Sequence, residues 1–180
     1  MRRVVTGLTK SGKSVFVSDG EPPCNIKPEG LDSDNFEIWG TDGIPTIPVE
    51  GGDPTVEMSS FIPALGGTRL RTLQFPGTKE IDRATKAGVD IAAVQKERWA
   101  KMPDIAAVLE KEHPLMHTTD TIDYGIVLSG EIWLELDDEA EVHLRQGDCV
   151  IQNGTRHAWR NKGPEPCIMA FIMIGAERSK

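Results

Sequence analysis

The sequence predicts an all-β fold, a jelly-roll barrel or sandwich, from three observations. From Thr121 onward apolar and polar residues alternate at period two: Ile122, Tyr124, Ile126 and Leu128 against Asp123, Gly125, Val127 and Ser129, then Ile132, Leu134 and Leu136 against Glu131, Trp133 and Glu135. Turn signals punctuate these runs at even spacing, at Ser129-Gly130, Asp137-Asp138-Glu139, Gln146-Gly147-Asp148 and Asn153-Gly154. The 180 residues are enough for one good core and too few for two ordinary domains.

The earlier elements follow in order. Arg3 to Leu8 and Ser14 to Val17 read as a hairpin around the turn-rich Thr9-Lys10-Ser11-Gly12-Lys13. The letters Gly7 to Ser14 also fit the P-loop pattern, but a P-loop must open a helix, and Val15-Phe16-Val17 is strand-like. A hairpin turn is therefore expected there. Residues 20–53 are crowded with Gly, Pro, Asp and Asn, leaving Phe36 to Gly40 and Thr46 to Val49 as short strands. Thr68 to Phe75 has strand composition, stops at Pro76-Gly77, and is expected to enter the barrel. Over residues 90–112 the period becomes helical, with Ile91, Val94, Trp99, Ile105, Val108 and Leu109 recurring and Pro103-Asp104 splitting the stretch into two short helices. This insertion is expected mainly to brace the barrel. The expected organisation is an N-terminal hairpin and loop extension over 1–67 packed on a barrel over 68–180.

Composition narrows the partners. A net charge of −8 without a dense Lys/Arg stripe repels a phosphate backbone, so a small molecule is expected and nucleic acid is not. The longest apolar stretch, Cys167 to Ile174, is far below the roughly 20 residues that span a bilayer, and Met1-Arg2-Arg3 leads into a strand-like run. A cytoplasmic protein without membrane contact is expected. Cys24, Cys149 and Cys167 are odd in number and lack CxxC spacing, so all three are read as reduced, with Cys149 and Cys167 packed in the core.

Two stretches carry the chemistry. The first is His117-Thr118-Thr119-Asp120-Thr121-Ile122-Asp123, closed by Gly130; the second opens at Gly147-Asp148 and ends Gly154-Thr155-Arg156-His157-Ala158-Trp159-Arg160-Asn161. In order and spacing they resemble the two motifs of the cupin family, over roughly Thr68 to Gly175. In that resemblance His117 stands at the first His, Thr119 replaces the second, Asp123 takes the Glu position, Gln152 takes a Pro position, and His157 is the motif-two His. It implies a cupin-type jelly roll, a homodimer of barrels, and a spread of dioxygenase, decarboxylase, isomerase and dehydratase activities.

The residues themselves point to a metal-assisted centre. Two imidazoles and one carboxylate, His117, His157 and Asp123, form a recognised ligand set for a divalent ion such as Fe, Mn, Ni or Zn. Asp120 is expected as an alternative ligand, as the carboxylate that orients His117, or with Asp123 as the proton carrier. Strand alternation places Gly125 on the face of Asp123, leaving volume beside it if Asp123 points inward, and puts Trp159 and Asn161 on the face of His157. Arg69 and Arg71 share a face. If it lines the barrel they hold a substrate carboxylate; the favoured expectation is an outer face paired with acidic neighbours. His113 and His143 are expected at the surface and Tyr124 away from the pocket. The expected function is a metal-dependent enzyme on a small organic acid, ketone or phenolic compound. The alternative is a non-catalytic barrel that captures an apolar metabolite between Trp159 and Met169 to Met173.

Overall fold

The computed structural model describes residues 1–179 and is mostly β. In chain order the strands are β1 (Arg3–Leu8), β2 (Ser14–Gly20), β3 (Cys24–Asn25), β4 (Asn35–Thr41), β5 (Thr68–Phe75), β6 (Thr121–Ser129), β7 (Glu131–Glu135), β8 (Glu141–Arg145), β9 (Cys149–Asn153), β10 (Ala158–Arg160) and β11 (Cys167–Gly175). Six of them form one antiparallel sheet, β3-β4-β5-β11-β6-β9, and a second sheet runs β10-β7-β8. Between the two lies the barrel core, where Val127, Ile132, Cys167 and Met169 are at most 1% exposed.

The β1-β2 hairpin forms as the sequence predicts. Its connection is a turn, closed by the Thr9 N–H donating to the Lys13 carbonyl at 2.9 Å, with Gly12 at φ 79° where a side chain is disfavoured. The P-loop letters therefore carry no helix and no phosphate cradle. Arg3 ties the hairpin down, donating to the Ile38 carbonyl at 3.0 Å and pairing with Asp53. The strand expected at Thr46–Val49 does not form. Pro45 precedes it and Pro48 lies within it, neither supplying an N–H to a ladder, and Ile47 is exposed.

Strand β6 sets the geometry that matters. Thr121, Asp123, Gly125 and Val127 face inward and are buried, while Ile122, Tyr124 and Leu128 face outward. Register explains a correction at Cys149: it pairs with Ile126 on β9's outward face and is exposed, whereas Cys167 is buried as expected.

Between β5 and β6 the chain forms three helices, α1 (Thr78–Lys86), α2 (Ile91–Ala100) and α3 (Pro103–Val108). The first is absent from the sequence reading, since only Ile81 and Ala84 are apolar in it. Those two residues join Leu31, Val89, Ile91 and Val94 in a satellite cluster that holds the helices together. The Asp90 carboxylate caps α2, accepting from the Ala93 N–H at 3.1 Å. Among the described residues no helix is long and apolar enough to cross a membrane.

Candidate active site

His117 and His157 approach because their backbones pair. The His117 N–H donates to the His157 carbonyl at 3.0 Å, and the His157 N–H returns the bond at 2.9 Å. This bridge brings the ring centroids to 4.3 Å. Each ring is then fixed by its own chain. Nδ1 of His117 lies 2.8 Å from the Leu115 carbonyl, and Nδ1 of His157 lies 2.9 Å from the Thr155 carbonyl. Carbonyls only accept, so both rings carry the proton on Nδ1 and keep Nε2 as a free lone pair. Leu115 presents its carbonyl from a left-handed backbone, φ 69°, a strained conformation held at the point where it orients His117.

Asp123 enters from β6. Its Oδ1 is buried and has no hydrogen-bond partner. Burial pushes the carboxyl up to about 6, against the weaker pull of Thr121 and Arg71. Burial pulls His157 down to about 4, helped by the neighbouring His117, and lowers His117 as well. All three line one cavity of about 270 Å³. Its walls are mainly apolar, with Trp159 edge-on to His157 and Phe171, and Phe61 also lining it. Thr119, at the position of the absent motif imidazole, is buried and shares a 2.7 Å hydrogen bond with Thr121.

The helical insertion does more than brace. Ile81, Trp99, Met102 and Ile105 close the cavity, so the helices supply a wall to it.

Other expected site residues are redistributed. Asp120 stands at the surface, where Arg178 donates to it at 2.5 Å, and the Leu115 carbonyl orients His117 in its place. Gly125 faces inward, but Met169 and Phe171 fill the space over it, and it does not border the cavity. Asn161 borders the cavity with its amide committed to the Phe75 and Glu165 carbonyls and the Gly163 N–H. Arg69 and Arg71 overturn the favoured outer-face expectation: both point inward and are 2% and 0% exposed. Of their acidic partners only Glu37 is buried as well, while Asp42 stays exposed. Arg69 pairs with Asp42 at 2.7 Å away from the main cavity, and Arg71, which borders the cavity, pairs with the buried Glu37 at 3.0 Å, its guanidinium 3.3 Å above the Phe61 ring. Tyr124 faces away from the cavity, His113 is exposed, and His143 stacks on Trp133 with Nε2 bonded to Glu131.

Sequence reasoning missed Gln95 and Arg98, two polar residues of α2 that border the cavity. The signal was present: Ile91, Val94, Arg98 and Met102 lie at helical spacing, which puts a charge on the buried face.

Residues 107–174 match the family model described as cupin domain. Among curated proteins, the chain is 54% identical to the phomopsin biosynthesis cluster protein C' of Diaporthe leptostromiformis over 48 residues, 27% of this chain and 25% of that protein. It is 31% identical to the cupin-domain-containing oxidoreductase fogC of Aspergillus ruber over 112 residues, 59% of this chain and 52% of that protein. With virC of Hypocrea virens, also described as a cupin-domain-containing oxidoreductase, identity is 37% over 62 residues, 33% of this chain and 32% of that protein. The chain thus spans between a quarter and about half the length of these relatives. Among solved structures, the cupin domain of Schizosaccharomyces pombe Cnp3 aligns at TM-score 0.44 and 8% identity, covering 97% of this chain and 87% of that one. An RmlC-like cupin family protein of Methanocaldococcus jannaschii aligns at TM-score 0.37 and 13% identity, covering 61% and 70%.

Proposed function

We propose that this chain, a cupin-domain protein, is an enzyme that acts on a small organic molecule in the barrel cavity, with His117, His157 and Asp123 serving a divalent metal ion. The observation that carries the proposal is the pair of tethered imidazoles. A ligating His commonly donates its second ring N–H to a carbonyl, which fixes the tautomer and leaves the other nitrogen for the metal. Here two adjacent rings do so, both held neutral, beside a buried carboxylate oxygen without a partner. The donor chemistry fits Fe, Mn, Ni or Zn. Among the described residues no three such donors are already drawn around one point, so loading includes side-chain adjustment within the trio.

When bound, such an ion polarises a carbonyl or carboxylate oxygen as a Lewis acid or serves oxygen chemistry. The chain's own residues do the rest. Trp159, Phe171 and Phe61 hold an apolar substrate body, the helices exclude water, and the Leu115 and Thr155 carbonyls hold each imidazole proton in place. The names of virC and fogC favour an oxidoreductase among the reactions open to such a site. Elemental analysis of protein purified without chelator tests the metal reading: about one Fe, Mn, Ni or Zn per chain is expected. Metal-free protein that still binds apolar metabolites would mark a binding module instead.

The assembly proposed is a homodimer. Phe16 and Val17 on the β1-β2 hairpin are 77% and 61% exposed, and a two-stranded ribbon with such residues in water is marginal without a partner. Light scattering at micromolar concentration should give twice the chain mass. The chain mass alone would refute the dimer.

A further inference from the structure

Arg98 is a buried cation with no anion. It lies on α2, is only 9% exposed, and borders the cavity. No carboxylate pairs with it among the described residues. Its one side-chain bond is a long one, 3.4 Å from Nη2 to the Asn35 Oδ1, and its Nε has no partner. Trp99 offers only a distant face, 5.4 Å from the guanidinium carbon. Burial works against its charge, with no neighbouring acid to offset the effect. A guanidinium keeps its proton even so, and a buried charge without a counter-ion destabilises the fold. The other cavity arginine differs, since Glu37 neutralises Arg71. One positive charge therefore remains to be matched inside a mainly apolar cavity.

We propose that Arg98 is the substrate-anchoring residue of this site and that the substrate is a small monoanionic carboxylic acid with an apolar body. This inference rests on the reading of the cavity as a substrate pocket and names the substrate class. The guanidinium fork matches a carboxylate in plane, through the unpartnered Nε–H and the weakly engaged Nη2. The unpartnered Gln95 Oε1 is a further polar atom at the same wall, ready to accept from a hydroxyl on the acid. The apolar body then lies against Trp159 and Phe171, which directs the acid's reactive carbons toward His117, His157 and Asp123. The anchor is supplied by the helical insertion and the reactive centre by the barrel.

The test uses 4-phenylbutyrate and its neutral isostere 4-phenylbutanamide as probes, with binding measured by titration calorimetry on the protein as purified. The wild type should bind the carboxylate at least about tenfold more tightly than the amide, as expected for one charge-assisted bidentate pair. Arg98→Met, which keeps apolar volume, should abolish that preference while amide binding stays within a few-fold. Arg98→Lys should restore part of it. Thermal melting guards against a purely structural role. Without ligand, Arg98→Met should melt at or above the wild-type temperature, because an unmatched charge has been removed. Equal wild-type binding of the two probes, or an unchanged preference in Arg98→Met, would overturn the proposal. So would loss of both probes together with a lowered melting temperature. Because a bound divalent ion would itself favour a carboxylate, the titrations are repeated on chelator-treated protein, where the Arg98-dependent preference should persist. Failure of the metal reading and failure of the anchor then remain separate results.

Discussion

Asp123→Asn should weaken metal binding by at least the roughly ten- to hundred-fold typical of changes around a metal site, and at the same time make the metal-free protein more stable at pH 7. The first effect follows from removing a negative charge beside two neutral imidazoles while keeping size and hydrogen-bonding capacity. Asp123→Glu keeps the charge and should bind metal at least as well as the Asn variant. Metal titration of the two variants decides this, and an order of Asn above Glu would rule out a ligand role for Asp123. The second effect follows from burial, which raises the carboxyl from an ordinary value near 3.8 to about 6. The folded state therefore resists ionisation. Stability is full below about pH 4 and falls as pH rises to about 6, by an amount on the order of 3 kcal/mol. Asn never ionises, so it recovers most of that loss at pH 7 and little at pH 4. Denaturation of chelator-treated protein across this range measures it. A variant less stable than wild type at pH 7 would show that Asp123 is a structural group.

His157→Ala should remove metal retention while the barrel still folds, because strand pairing and the apolar core hold the fold and the imidazole serves the ion. His117→Ala should behave alike. The pH dependence adds an independent signature. His157 is pulled down to about 4 from an ordinary 6.5, so its neutral form is favoured in the fold. Stability tied to it is present above about pH 6.5 and lost as pH falls toward 4, again by about 3 kcal/mol. This slope opposes that of Asp123, and in the metal-free wild type the two largely cancel. Each variant should unmask the other group. Asp123→Asn should lose stability with falling pH, and His157→Ala should lose it with rising pH. Full metal content in purified His157→Ala protein would contradict the assignment, and parallel pH profiles in the two variants would contradict the burial of both groups.

Much of the barrel was legible because strand alternation separates the two faces of each strand. On β6 it puts Asp123 and Tyr124 on opposite faces, while the inward direction of Asp123, against the apolar Ile122, Tyr124 and Leu128, came from the motif resemblance and not from hydrophobicity; the turns at Gly130 and Gly147 sit at left-handed residues. The resemblance of the two motifs to those of cupins groups His117, Asp123 and His157, and all three line one cavity. Local pattern failed where tertiary context decides. Nothing local says that β4 will lie against β5 and carry Glu37 inward to meet Arg71, so the arginine face looked like a solvent face. Asp120 looked like a partner for His117, but the Leu115 carbonyl took that place and Arg178, distant in sequence, drew Asp120 outward. Helix α1 escaped because its two apolar residues give too little periodicity, although they suffice to anchor it once Leu31 and Val94 are beside them.

X-ray absorption at the K-edge of the metal retained by the purified protein tests the central claim most directly, because it reports the atoms around the ion. Expected is a light-atom shell with the outer scattering of two imidazoles, reduced to one in His117→Ala protein measured with the same metal at a concentration high enough to fill its weakened site. A spectrum without imidazole scattering, or one unchanged by that substitution, would contradict it.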